Sequence, residues 1–131
     1  MGAQTSGGVN GVQTSERFPV LIEMPSAGCR VVVPHGDVDA HTAPQLRDAI
    51  AGQLAADSSI DRLVIDLSRT SFLDSSALGV LIAALKRMRE REGRLDVVRP
   101  ASPIRRIFEI TALDQVFALH ETRELALASG R

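Results

Sequence analysis

Thr70-Ser71-Phe72-Leu73-Asp74-Ser75-Ser76-Ala77-Leu78-Gly79-Val80-Leu81-Ile82 decides the fold, because a strand ends and a helix begins within it. Just upstream, Leu63-Val64-Ile65-Asp66-Leu67 is short, nearly continuous in apolar residues and rich in β-branched ones, the pattern of a strand covered on both faces. Downstream, Leu78, Leu81, Ile82, Leu85 and Met88 recur at helical spacing as one apolar stripe. Asp74 stands at the N-cap, where its carboxylate accepts from free N–H groups of the first turn, so Ser75 and Ser76 open the helix. A phosphate added there would face unpaired N–H groups and the positive end of the helix dipole. The fold would tolerate it while the surface gained about two negative charges. From position alone Ser75 is most simply a hydrophilic helix-start residue; a phosphoacceptor and a catalytic nucleophile are the other two readings.

Working upstream, Arg62 to Leu67 follows a helix whose stripe is Leu46, Ala49, Ile50 and Leu54. Thr42-Ala43-Pro44-Gln45 fits a capping box at its start, with Pro44 in the first turn where a missing N–H does no harm. The helix is expected to fade near Ala56-Asp57-Ser58-Ser59. Earlier still, Phe18 to Met24 and Cys29 to Val33 are strands joined by a turn at Pro25-Ser26-Ala27-Gly28. Residues 1–17 hold almost nothing to bury and are expected to form a flexible leader, leaving 18–131 as one domain. Downstream, the central helix is expected to run to about Glu92 with Gly93 as C-cap, and its charged end, Lys86 to Glu92, is expected to face solvent. Arg94 to Arg99 is another strand, Ser102-Pro103 opens a third helix carrying Ile104, Ile107 and Phe108, and Leu113 to Leu119 gives a short strand before a helix at Thr122 to Ala128. After the opening hairpin, strands and helices alternate. That predicts an α/β domain: a mixed, mainly parallel sheet of about five strands with about four helices, joined by right-handed crossovers.

Two short segments in this order resemble a known family, the STAS domains, and in particular the bacterial anti-sigma-factor antagonists. Asp74-Ser75-Ser76-Ala77-Leu78-Gly79 is similar to the family's Asp-Ser-Ser/Thr-Gly/Ala-Leu-Gly at a strand-to-helix junction, with alanine in place of the commoner glycine. Upstream, Gly36-Asp37-Val38-Asp39, followed by His41-Thr42-Ala43 and Leu46-Arg47, resembles the family's Gly-Glu-Leu-Asp loop, with a shorter carboxylate at Asp37. The resemblance covers roughly residues 18 to 128. It implies a STAS-like fold and a protein that, while Ser75 is unmodified, binds an anti-sigma serine kinase and so frees a sigma factor. Phosphorylation of Ser75 by that kinase would switch it off, and a serine phosphatase would restore it. Ser76 is the weaker alternative acceptor. The partner surface implied is Asp37, Asp39, His41, Asp74, Ser75, Ser76 and Leu78. ATP would come on the partner. A constitutive scaffold or subunit in a transporter-associated or stress-signalling complex is the alternative.

Composition is consistent with this class. The formal net charge is −1 and charged residues make up 24% of the chain, so no global field favours nucleic acid or an anionic membrane. No Walker motif or Gly-x-Gly-x-x-Gly loop supports nucleotide binding by the chain itself, and no cofactor is expected. His35, His41 and His120 lie in no hydrolase order, so an enzyme is not expected. Asp37, Asp39 and His41 alternate as metal ligands sometimes do; a solvated loop is the simpler reading, and the resemblance gives a third, partner contact. One cysteine, no signal-like leader and no apolar run approaching the roughly 20 residues of a membrane span point to a cytoplasmic protein. Fourteen arginines against the single Lys86 fit a bacterial source with a GC-rich genome.

Overall fold

The computed structural model describes residues 10–13 and 19–128. Among them one sheet runs in strand order β1 (Asn10–Gln13), β2 (Val20–Ser26), β3 (Cys29–Pro34), β4 (Arg62–Asp66), β5 (Arg94–Val98) and β6 (Ala118–His120). The first two pairings are antiparallel and the next three parallel, so the sheet is mixed as its alternating pattern predicts. The helices are α1 (Ala43–Ala56), α2 (Ser75–Glu90), α3 (Ser102–Ile110) and α4 (Arg123–Ala128), with a 3₁₀ turn at Leu113–Gln115.

Strand β1 lies inside the stretch expected to be a leader. Its backbone pairs with β2 from Asn10 opposite Glu23 to Gln13 opposite Val20. An edge strand offers a row of unpaired N–H and C=O groups, and these can bind a segment with little to bury. The other residues of the expected leader, 1–9 and 14–17, lie outside the described ones.

Alternation along the strands builds two cores. Val32, Leu63, Ile65, Leu95 and Val97 face α1, α2 and α3, meeting Leu46, Ile50, Leu81, Leu85, Met88, Ile104 and Phe108. Phe108 and Phe117 meet edge to face, with ring centroids 5.6 Å apart. Each fully buried side chain of this size contributes about 1.5–3 kcal/mol. Consecutive strand order with parallel neighbours places the crossover helices together on this face. Val31, Val33, Val64 and Val98 face the other side, where Ala126 of α4 packs on them.

That second side also holds ionic groups that a strand pattern would place in solvent. Asp96 is fully buried and accepts from Arg94 Nε at 3.0 Å and Nη2 at 2.6 Å, with His120 Nε2 at 3.0 Å. Arg123 ties α4 to the sheet through Asp66 at 2.7 Å and Glu23 at 2.9 Å. Burial alone would raise the Asp66 pKa. The hydrogen bonds from Arg123 and Ser68 outweigh it and hold the group below the usual carboxylate range.

Two local expectations change. Gly93 is not the left-handed residue after α2; Glu92 is, at φ 57°, with Gly93 N–H bonded to Met88 O and Glu92 N–H to Arg89 O in a Schellman closure. Gly93 is required for another reason, since a Cβ there would stand 2.5 Å from Asp61 O. Arg91, read as part of a solvated charge run, is half-buried. Its guanidinium donates to the carbonyls of Leu54, Asp57 and Ile60, closing the exposed end of α1.

Candidate functional site

The site is built at the carboxyl ends of β3 and β4, where two loops are stitched into one surface. Val38 N–H donates to Phe72 O at 3.0 Å, Asp74 N–H to Val38 O at 3.2 Å, and Gly36 N–H to Arg69 O at 3.1 Å. Val38 and Leu73 form an isolated parallel bridge and both are buried. Because neighbouring residues of an extended segment point to opposite sides, burying Leu73 turns Phe72 outward, where it is 49% exposed. Asp37 Oδ1 adds a side-chain clasp, accepting from the Ser71 hydroxyl at 2.9 Å and its N–H at 3.3 Å.

Asp74 caps α2 as its position predicts. Its backbone is extended, at φ −113° and ψ −171°, and Oδ1 accepts from Ser76 N–H at 2.8 Å and Ala77 N–H at 3.2 Å. Ser75 and Ser76 follow, both exposed. Among the described residues the Ser75 hydroxyl has no hydrogen-bond partner. Of the N–H groups expected to greet a phosphate on Ser75, those of Ser76 and Ala77 are therefore already engaged by the Asp74 carboxylate, and that of Leu78 by Asp74 O. A group added to Ser75 Oγ is left to point outward, beside a carboxylate.

The remaining candidate residues divide into framework and face. Asp39, and not Thr42, caps the entry to α1: its carboxylate accepts from His41 N–H at 2.9 Å and Thr42 N–H at 3.1 Å, while Thr42 provides no side-chain cap. The Thr42 hydroxyl donates instead to Asp37 O. Two side-chain acceptors lie close together in sequence here, the Asp39 carboxylate and the Thr42 hydroxyl, and the chain uses the earlier one. Backbone hydrogen bonds, from Thr42 first and then His41, hold the Asp39 pKa below the usual range. Asp37 and His41 are exposed and belong to the face. Leu78 is half-buried against the main core, because the stripe of α2 is centred on Ala77, Leu81, Ala84, Leu85 and Met88. Phe72 is the surface residue that sequence reasoning missed; the alternation that buries Leu73 was its signal.

Among the described residues no three His, Cys, Asp or Glu side chains converge as metal ligands, and no helix is long and apolar enough to cross a membrane.

Comparison with known proteins places these features in a family context. The model of the family described as "STAS domain" matches residues 25–126. The anti-sigma-B factor antagonist of Listeria monocytogenes is 33% identical over 84 residues, which is 64% of this chain and 72% of that protein. A crystal structure of an anti-sigma factor antagonist from Mycobacterium paratuberculosis superposes with a TM-score of 0.75 at 35% identity, covering 89% of this chain and 97% of that one. The Bacillus cell fate determinant SpoIIAA, solved in its phosphorylated form, shares the fold with a TM-score of 0.68 at 23% identity, over 86% of this chain and 99% of that one.

Proposed function

The chain belongs to the STAS domain family, among the bacterial anti-sigma-factor antagonists, and from that premise we propose that it is a partner switch controlled at Ser75. With Ser75 unmodified, the face formed by Asp37, His41, Phe72, Ser75 and Ser76 docks on an anti-sigma factor that is also a serine kinase, and a sigma factor is released. The domain responsible is 18–131 with β1 added at the edge of its sheet, acting in the cytoplasm without nucleic acid or membrane.

The observation that carries this reading is the Ser75 hydroxyl: exposed, without a partner among the described residues, and fixed at the first position of a core-anchored helix. In the transfer, Ser75 Oγ forms a bond to the γ-phosphorus of ATP held by the partner, the bond to the β-bridging oxygen breaks, ADP leaves and the serine proton passes to a base of the partner. Phosphate adds about two negative charges to a face already carrying Asp37 and Asp74. A partner matched to the unmodified face has no cation left for that dianion, which would have to shed its water on docking. Binding is lost until a serine phosphatase removes the group.

The test is to incubate the full chain with an anti-sigma kinase of its own host and ATP, then map phosphate by mass spectrometry. Ser75→Ala is expected to abolish labelling and Ser76→Ala to retain it. Unchanged labelling of Ser75→Ala would overturn the site.

A further inference from the structure

Four large apolar side chains are exposed among the described residues: Phe72 at 49%, Ile110 at 75%, Val116 at 40% and Leu125 at 55%. Only Phe72 lies in the two stitched loops that lead into Ser75. The chain has four phenylalanines and no tryptophan or tyrosine. Phe108 and Phe117 are spent on the core, which makes Phe72 the described aromatic left for recognition.

Its backbone is unusually well held for a loop. Phe72 O accepts from Val38 N–H, the next residue is bridged to Val38, and the preceding one is clasped by Asp37. An aromatic ring presented from a fixed backbone loses little freedom on docking, and such rings at the centre of a contact carry a large share of binding energy. The same two loops and the start of α2 carry the carboxylates of Asp37, Asp39 and Asp74, set against one arginine of the Phe72 loop, Arg69, and the hydroxyls of Ser71, Ser75 and Ser76.

We infer that Phe72 is the apolar anchor by which the unmodified protein seats on its kinase. The partner surface that fits is an apolar pocket next to the phosphoryl-transfer site, bordered by basic side chains that match the carboxylate rim. The inference rests on the function proposed above. A kinase that phosphorylates Ser75 must close over this end of α2, which brings the ring three residues away into the contact. A phosphate on Ser75 then acts partly by holding the two surfaces apart, so that the ring no longer enters its pocket.

The experiment is calorimetric titration of the host's anti-sigma kinase with the full chain, as wild type, Phe72→Ala and Ile110→Ala. Phe72→Ala is expected to weaken binding by roughly 30-fold or more, while Ile110→Ala binds like wild type. Because the chain lacks tryptophan, a Phe72→Trp variant reports the environment of the ring directly. Its emission, after subtraction of the kinase spectrum, is expected to shift to the blue on binding. Wild-type affinity in Phe72→Ala, or an unshifted Phe72→Trp emission in a complex that forms, would overturn the anchor while leaving Ser75 control intact. A wild-type chain that neither binds the kinase nor accepts phosphate would overturn both.

Discussion

The carboxylate of Asp37 holds both the hydroxyl and the backbone N–H of Ser71, at 2.9 and 3.3 Å, across 34 residues of sequence. This one clasp, with the hydrogen bonds between Val38 and the 72–74 backbone, makes a single surface from two loops that would otherwise move independently.

Asp37→Ala is expected to leave global stability almost unchanged, within about 1 kcal/mol, because the clasp is exposed. Amide exchange at Ser71 and Val38 should nevertheless speed up, and phosphorylation by the kinase should slow. Exchange unaltered at both amides would show that the backbone bonds alone hold the loops.

Asp74→Ala removes the acceptor for two N–H groups and is expected to destabilise the chain by about 1 kcal/mol, read by urea denaturation. Asp74→Asn should recover most of the loss, since its side-chain oxygen can accept in the same place. Ser75→Glu, at an exposed position, should unfold close to the wild-type urea concentration yet bind the kinase more weakly.

Glycine-to-alanine changes at two positions are expected to have opposite signs. Gly79 is in the interior of α2 with nothing within 4 Å of an added Cβ, so Gly79→Ala should stabilise by about 0.5–1 kcal/mol. Gly93→Ala would drive its Cβ to 2.5 Å from Asp61 O and 2.8 Å from Met88 Cε, and should destabilise by about 1–3 kcal/mol. Thermal melts of the pair check both.

Acid should weaken the fold through carboxylates whose pKa values are lower folded than unfolded. Asp39 and Asp57 are lowered chiefly by hydrogen bonds, to Thr42 and to Ser59 respectively; Asp66 is lowered despite burial, by Arg123. The native state thus binds these protons less readily. The stabilisation is complete above the unfolded carboxylate value of about 3.9 and disappears as pH falls through the lower native values. Arg123→Ala leaves Asp66 in a poorly solvated site without its cation, so Asp66 takes up its proton at higher pH. That variant should lose about 1–3 kcal/mol at neutral pH and show a shallower further loss in acid.

Particular residues show what the chain made legible. Leu63 to Leu67, Asp74 and the spacing of Leu81, Leu85 and Met88 carried local and tertiary information in the same letters, and the strand, the cap and the helix follow from them. Strand β1 left no such trace, because its hydrogen bonds are made by backbone and have no side-chain signature. Asp39 and Thr42 are both competent caps, and only the path of the chain chooses between them. Arg91 looked like a solvent residue because its partners lie far off in sequence. Ser75 is singled out by its motif; Phe72 was overlooked because apolar character suggests the interior until a neighbour is known to occupy it.

The engagement of the α2 N–H groups by Asp74 has a consequence in time. A phosphate on Ser75 would find the Ser76 and Ala77 N–H groups already taken, and so would lack their grip to shield it. The off state would then keep no clock of its own, and its lifetime would be set by the concentration and rate of the enzyme sent to erase it.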